Sequence, residues 1–230
     1  MGDVFMYQKQ EAIIISSTAF FVFVLYLADQ ALLLNYNYKI VIKFLLLVLF
    51  PIIYIYWTRD NFMENTFDKL FKNNKLLTVF FSISCFLTIF ISYIVLNNLL
   101  YLNSMSLDLK EKFKIYEHNI IYYGVYIVFI NSLIEEFFFR GFIFLNLKKK
   151  GRIKLAYIIS ASAFTLYHIS AFVAWFNFNL FLLMIAGLFI GGLIFNYIDS
   201  KSNSILNSWI VHIFADLAII SIALIIYTTM

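Results

Sequence analysis

The sequence predicts an all-α fold, a polytopic transmembrane bundle of about seven helices. Three observations lead there. Of the 230 residues, 63% are hydrophobic and only 13% charged, and the mean hydropathy is +0.88, outside the range of soluble domains. Several apolar stretches reach the roughly 20 residues that cross about 30 Å of hydrocarbon. No Gly/Ser linker, low-complexity tract or internal repeat marks a second domain, and no soluble domain is expected.

The spans fall at about 12–34, 39–57, 76–102, 119–147, 153–175, 179–198 and 204–227. The first follows Lys9 and Glu11 and has no small-residue cleavage site, so it reads as a retained helix and not as a signal peptide. The second contains the only proline, Pro51, where a kink is tolerated. Between the second and third, RDNFMENTFDKLFKNNK (59–75) repeats apolar residues at Phe62, Met63, Phe67, Leu70 and Phe71. That spacing fits either an interfacial helix in the headgroup plane or a plain polar loop. The third span holds the lone cysteine, Cys85, among Phe81, Ile83 and Phe86, as a small apolar filler with no disulfide framework. In the sixth, Gly187 and Gly191 form a GxxxG with Gly192 beside it, which predicts close helix packing. His118 falls in a loop and receives no role.

Basic residues set the orientation. With the N-terminus in the cytoplasm, that side collects Lys9, Arg59, Lys69, Lys72, Lys75, Lys148, Lys149, Lys150, Arg152, Lys154 and Lys201, about eleven against five on the other side. The five are Lys39, Lys43, Lys110, Lys112 and Lys114. The net charge of +4 thus sits in loops without a nucleic-acid motif or interleaved aromatics, and the lipid bilayer with its anionic headgroups is the expected partner. The abundance of Phe, Ile, Asn, Lys and Tyr with a single proline suggests an AT-rich bacterial genome, hence a bacterial cell membrane.

Against this background the fourth span is odd. NSLIEEFFFRGF (131–142) carries Glu135, Glu136 and Arg140. Each charge at mid-bilayer costs about 2.5 to 3.5 kcal/mol, so such residues are usually paired, inward-facing and functional. Glu136 and Arg140 stand four apart in the favoured order for an intrahelical ion pair. Glu135, rotated about 100° away, lacks that partner and is the candidate base. FTLYH brings Phe164 and His168 into the fifth span, and HIFAD brings His212 and Asp216, one turn apart, into the last. In that last pair the carboxylate either orients the imidazole or joins it at the site. Counted from Lys148, Lys154 and Lys201 at 1.5 Å per residue, Glu135, His168 and His212 lie roughly 16 to 21 Å deep. A site assembled from three helices requires such a shared level.

EEFFFR, FTLYH and HIFAD resemble the EExxxR, FxxxH and HxxxN/D motifs of the CAAX-protease and bacteriocin-processing (CPBP, or Abi) family of intramembrane proteases. The resemblance covers about 119–220. It implies a catalytic helical core over 119–227, preceded by N-terminal transmembrane helices over 1–118, in a bundle of about eight helices around a conical cavity open toward the cytoplasm. It also implies hydrolysis of a peptide bond in a peptide or membrane-anchored protein substrate. Glu135 and His168 would activate water, and His212 and Asp216 would stabilise the oxyanion or position the peptide, with Glu136, Arg140 and Phe164 in support. Asp216 stands where the prenyl-protein proteases of the group usually carry Asn, so the chain looks more like the bacterial branches.

Glu135, His168, His212 and Asp216 could instead supply ligands to Zn²⁺. HExxH is missing, however, and with Glu135 as a ligand no base would remain, so metal-free hydrolysis is the expectation. Two other classes compete: a proton- or ion-coupled transporter, since carboxylates and histidines at one depth also describe a relay, and a catalytically silent immunity or scaffold protein of the same fold.

Overall fold

In hydrocarbon every backbone amide and carbonyl must bond within its own segment, so long apolar runs fold as helices. The computed structural model describes residues 2–32, 34, 36–60, 66–67, 75–100, 102–111, 116 and 118–229. Among them there is no strand. Helix α1 runs Gly2–Tyr26 and continues as wider π turns through Leu27–Ala31. Helix α2 joins Tyr36–Phe44, a π segment Leu45–Leu49 and Phe50–Thr58, with Pro51 just beyond the wide turns. Helix α3 is Lys75–Leu96 extended by Asn97–Leu99, and α4 is the short Leu102–Glu111. Helix α5 is unbroken over 120–149 and contains Ser132–Glu136 between two π segments, Tyr126–Asn131 and Phe137–Leu145. Helix α6 is Ile153–Phe172 with Val173–Trp175, α7 is Phe178–Ser202 and α8 is Leu206–Thr229.

Six of these are long and apolar enough to cross a membrane: Met6–Ala31, Asn37–Thr58, Lys75–Leu99, Ile153–Phe172, Phe178–Ser202 and Leu206–Tyr227. Helix α5 is the seventh long helix and the one that carries the charges. The protein is a multi-pass membrane protein, and large side chains, Tyr56 and Trp57 among them, are exposed on its outside. The sequence expectation of seven long helices matches in order and place. An eighth helix comes from a loop, at Leu102–Glu111, and not from a split long span. The proposed interfacial segment, 59–75, lies largely outside the described residues.

Local chemistry fixes the ends. The Asn177 side chain accepts from the Leu180 amide at 3.0 Å and caps α7 at its start. Asn203, at φ 55°, closes it in the left-handed conformation that Asn tolerates. Gly151, at φ +79°, makes the α5–α6 turn, where any side chain would be strained. Packing corrects one expectation. Gly192 lies against Ala161 of α6, with only 3.1 Å for an added Cβ, but Gly187 and Gly191 meet nothing within 4 Å. The GxxxG face therefore points out of the bundle, and its neighbour glycine makes the close contact.

The core is asymmetric along α5. Every residue from Glu135 to Leu147 is buried, and Phe138, Phe139, Phe142 and Phe144 are wholly inaccessible. Around them pack Ile14, Phe21 and Leu25 of α1, Leu47 and Tyr54 of α2, Ala163 and Phe164 of α6, and Ile205. The first half of α5 instead exposes Ile121, Tyr122, Val125, Phe129 and Ile130. Cys85 packs beside Phe195, Ile198 and Val211, as a filler should.

Candidate active site

Glu135 and Glu136 are consecutive, so the 100° turn between them sends their carboxylates to different places. Glu136 points into the core. Its Oε1 accepts from Arg140 Nη1 at 3.1 Å and from His212 Nδ1 at 2.8 Å. The Arg140 guanidinium lies between two rings, 4.2 Å from the Phe164 centroid and 4.7 Å from that of Phe195. This cation–π sandwich compensates for the Nε and Nη2 atoms, which have no hydrogen-bond partner. Phe164, nearly silent in the sequence, is thus the floor beneath Arg140 and, at 4.3 Å, beneath His168.

Glu135 faces a cavity of about 160 Å³, along with His168, His212 and Asp216. One carboxylate oxygen, Oε1, is held by donors: Asn131 Nδ2 at 2.7 Å and the Tyr167 hydroxyl at 2.8 Å. The other, Oε2, looks at His168 Nε2 across 3.5 Å and at His212 Nε2 across 3.9 Å. Asp216 Oδ1 lies 3.8 Å from the same His212 nitrogen, and its Oδ2 is buried without a partner.

The partners of each ring assign its protons. His168 Nδ1 sits 2.7 Å from the Phe164 carbonyl, which can only accept, so Nδ1 carries the hydrogen and the neutral ring presents a lone pair from Nε2. His212 Nδ1 likewise donates to the Glu136 carboxylate, which turns its Nε2 to the cavity. Of the two roles open to Asp216, orienting the imidazole falls instead to Glu136. Asp216 faces the working nitrogen from the cavity side.

Several neighbours escaped the sequence reading. Lys43 of α2 donates to Asn131 Oδ1 at 3.1 Å, and its ammonium lies 3.7 Å from Glu135 Oε1 and 5.0 Å over the Tyr167 ring. A lysine inside a span was the available signal. Asn131 and Tyr167 stand one turn before Glu135 and one residue before His168, and the motifs name neither. Asp199 is also buried, but it accepts from the Ser208 amide and hydroxyl at 3.2 and 2.7 Å and joins α7 to α8.

Depth needs one correction. His212 is only six residues into α8, because 203–205 form a turn and the count from Lys201 is not all helix. It still reaches the level of Glu135 because that turn is itself sunk in the bundle. Ser204 and Ile205 are fully buried, and Ser204 Oγ and Ile205 N both donate to the Thr66 carbonyl.

Residues 117–218 match the family described as type II CAAX prenyl endopeptidase Rce1-like. This part of the chain is similar to the Rce1-like family. The matched Rce1-like segment contains Glu135, Glu136, Arg140, Phe164, His168, His212 and Asp216, and the family is one of proteases. No curated protein and no solved structure matches the chain. As for Zn²⁺, among the described residues no group of three or more His, Cys, Asp or Glu side chains is arranged to hold a metal ion. The Lys43 ammonium beside Glu135 also opposes a second cation there.

Proposed function

We propose that the protein is an intramembrane endopeptidase that hydrolyses a peptide bond with water activated by Glu135 and His168. The observation that carries the reading is the gap between Glu135 Oε2 and His168 Nε2. At 3.5 Å it lets a single water contact both acceptors, with His212 Nε2 3.9 Å from the same carboxylate oxygen. Asn131 and Tyr167 fix the other carboxylate oxygen, so Oε2 is held toward the cavity. Water loses a proton to this pair as its oxygen attacks the scissile carbonyl. The proton then passes to the departing amine.

The oxyanion needs a donor, and Asp216 as a bare carboxylate would repel it. His212 fills that role when protonated on Nε2, since Glu136 holds its other nitrogen and Asp216 lies 3.8 Å away to balance the charge. No step requires a metal. The substrate is a peptide or membrane-anchored protein, and Asp216 in place of Asn speaks for a chain that need not be prenylated. The test is cleavage by purified protein in detergent of peptides from membranes of cells lacking it, followed by mass spectrometry of new termini. New termini should appear with the parent and not with His168→Gln. Equal cleavage by both would sink the reading, and substrate counterflow in proteoliposomes without cleavage would favour the transporter.

A further inference from the structure

We propose that Asp216 docks the substrate backbone: it accepts the main-chain N–H of the residue that contributes the scissile carbonyl, and so lays the N-terminal side of the substrate along α8. This role rests on the proteolytic reading above. It adds the direction and the backbone chemistry of the segment that is cut.

Asp29, Lys39, Lys43, Glu135 and Asp216 all line the cavity. Asp29 and Lys39 bond to each other, Lys43 donates to Asn131, and Glu135 accepts from Asn131 and Tyr167. Among these charges only Asp216 is left without a hydrogen bond to a described residue. It is 8% exposed, its Oδ2 has no partner, and its Oδ1 meets His212 Nε2 only at 3.8 Å, beyond hydrogen-bond reach. A carboxylate buried without a donor is costly, and it can only accept, so whatever completes it must bring an N–H or an O–H.

Beside it stands His212 Nε2, the donor for the oxyanion, so the site sets a donor and an acceptor 3.8 Å apart. An extended residue presents the matching pair. Its own C=O and N–H point to the same edge of the chain, as they do when two residues of antiparallel strands exchange both bonds, and the next residue's pair points to the opposite edge. With the scissile carbonyl at His212, the N–H of the same residue therefore falls to Asp216 Oδ1.

That pairing also fixes a direction. Asp216 lies one turn beyond His212, so the chain preceding the scissile bond continues along α8, where Ile219, Ile220 and Ala223 line the cavity at i+3, i+4 and i+7 from Asp216. Phe172 and Trp175 of α6 line the same cavity. The roughly 10 Å of helix axis from Asp216 to Ala223 equals about three residues of extended chain. The substrate is thus an extended segment with apolar side chains just before the cleaved bond. The residue at that bond must keep its N–H, which excludes proline there.

Esters in place of single amides test this, since each deletes one N–H with little change of shape. The probe is a fluorogenic peptide copied from a cleavage site that mass spectrometry has mapped for the parent protein. Deleting the N–H of the residue that contributes the scissile carbonyl should lower kcat/KM about ten-fold or more, the scale of a hydrogen bond to a charged group, and chiefly through KM. Deleting the N–H of the residue before it, which points to the other edge, should leave kcat/KM nearly unchanged. Asp216→Leu should abolish the difference between the two esters, and Ile219→Ala should admit larger side chains before the cleaved bond but not after it. Equal effects of the two esters on the parent, a difference that persists in Asp216→Leu, or a size tolerance altered only after the bond would overturn the proposal. The ester comparison needs only the parent protein, so it decides even where Asp216→Leu fails to fold. A parent that cleaves no peptide would remove the proteolytic reading and the docking role together, whereas cleavage indifferent to the first ester would remove the docking role alone.

Discussion

The two halves of α5 belong to the same helix and the same apolar sequence style, yet they do opposite work. From Glu136 to Leu147 the helix is closed on every side, and its two charges are consumed by each other, by His212 and by two phenylalanine faces. From Ile120 to Glu135 it shows one face to lipid and the other to a cavity, where Asn131 and Glu135 meet Lys43, Tyr167 and His168. The boundary falls between two identical residues. What separates base from strut is therefore a 100° rotation and the neighbours it selects, and residue type has no part in it.

Glu136→Ala should strike the closed half hardest. It strands Arg140 and frees His212, and loss of one partner of a buried pair costs about 3 to 5 kcal/mol. Thermal unfolding in detergent should show it, and unchanged stability would break the distinction between the halves. Lys43→Met should sharpen the open half. Its side chain is 26% exposed, so stability should hold, while turnover falls about ten-fold, or roughly 1.4 kcal/mol, because the cation beside Glu135 is gone. Partial recovery with Lys43→Arg would confirm that the charge matters, and full activity of Lys43→Met would show that it does not. The smallest effect should come from exhaustive chelation. Turnover should be unchanged and elemental analysis should find no stoichiometric zinc, whereas loss on chelation with recovery on adding zinc would replace the metal-free mechanism.

Much of the fold could be read from periodicity and hydropathy, because in lipid an apolar run has few alternatives to a helix. The long helices lie within a few residues of their expected places, except that α1 begins earlier, at Gly2. Helix α4 was missed although Leu102, Met105 and Leu109 repeat on one face, since its flanking lysines read as loop. At the site, intrahelical spacing gave the Glu136–Arg140 pair and the different direction of Glu135. It could not give the Glu136–His212 bond or the approach of Lys43. Those depend on how α8 and α2 are rotated against α5, which no single-helix period encodes. The outward-facing GxxxG failed for the same reason.

Glu135→Gln against the parent, with turnover and thermal unfolding measured on the same purified samples, tests the central claim most directly. The substitution keeps the shape and the hydrogen-bonding reach of the side chain but removes the base, whose contribution is on the order of 10² to 10⁴ in rate. The account predicts turnover lost by that factor with unfolding at nearly the parent temperature. Near-parental turnover by Glu135→Gln would contradict it.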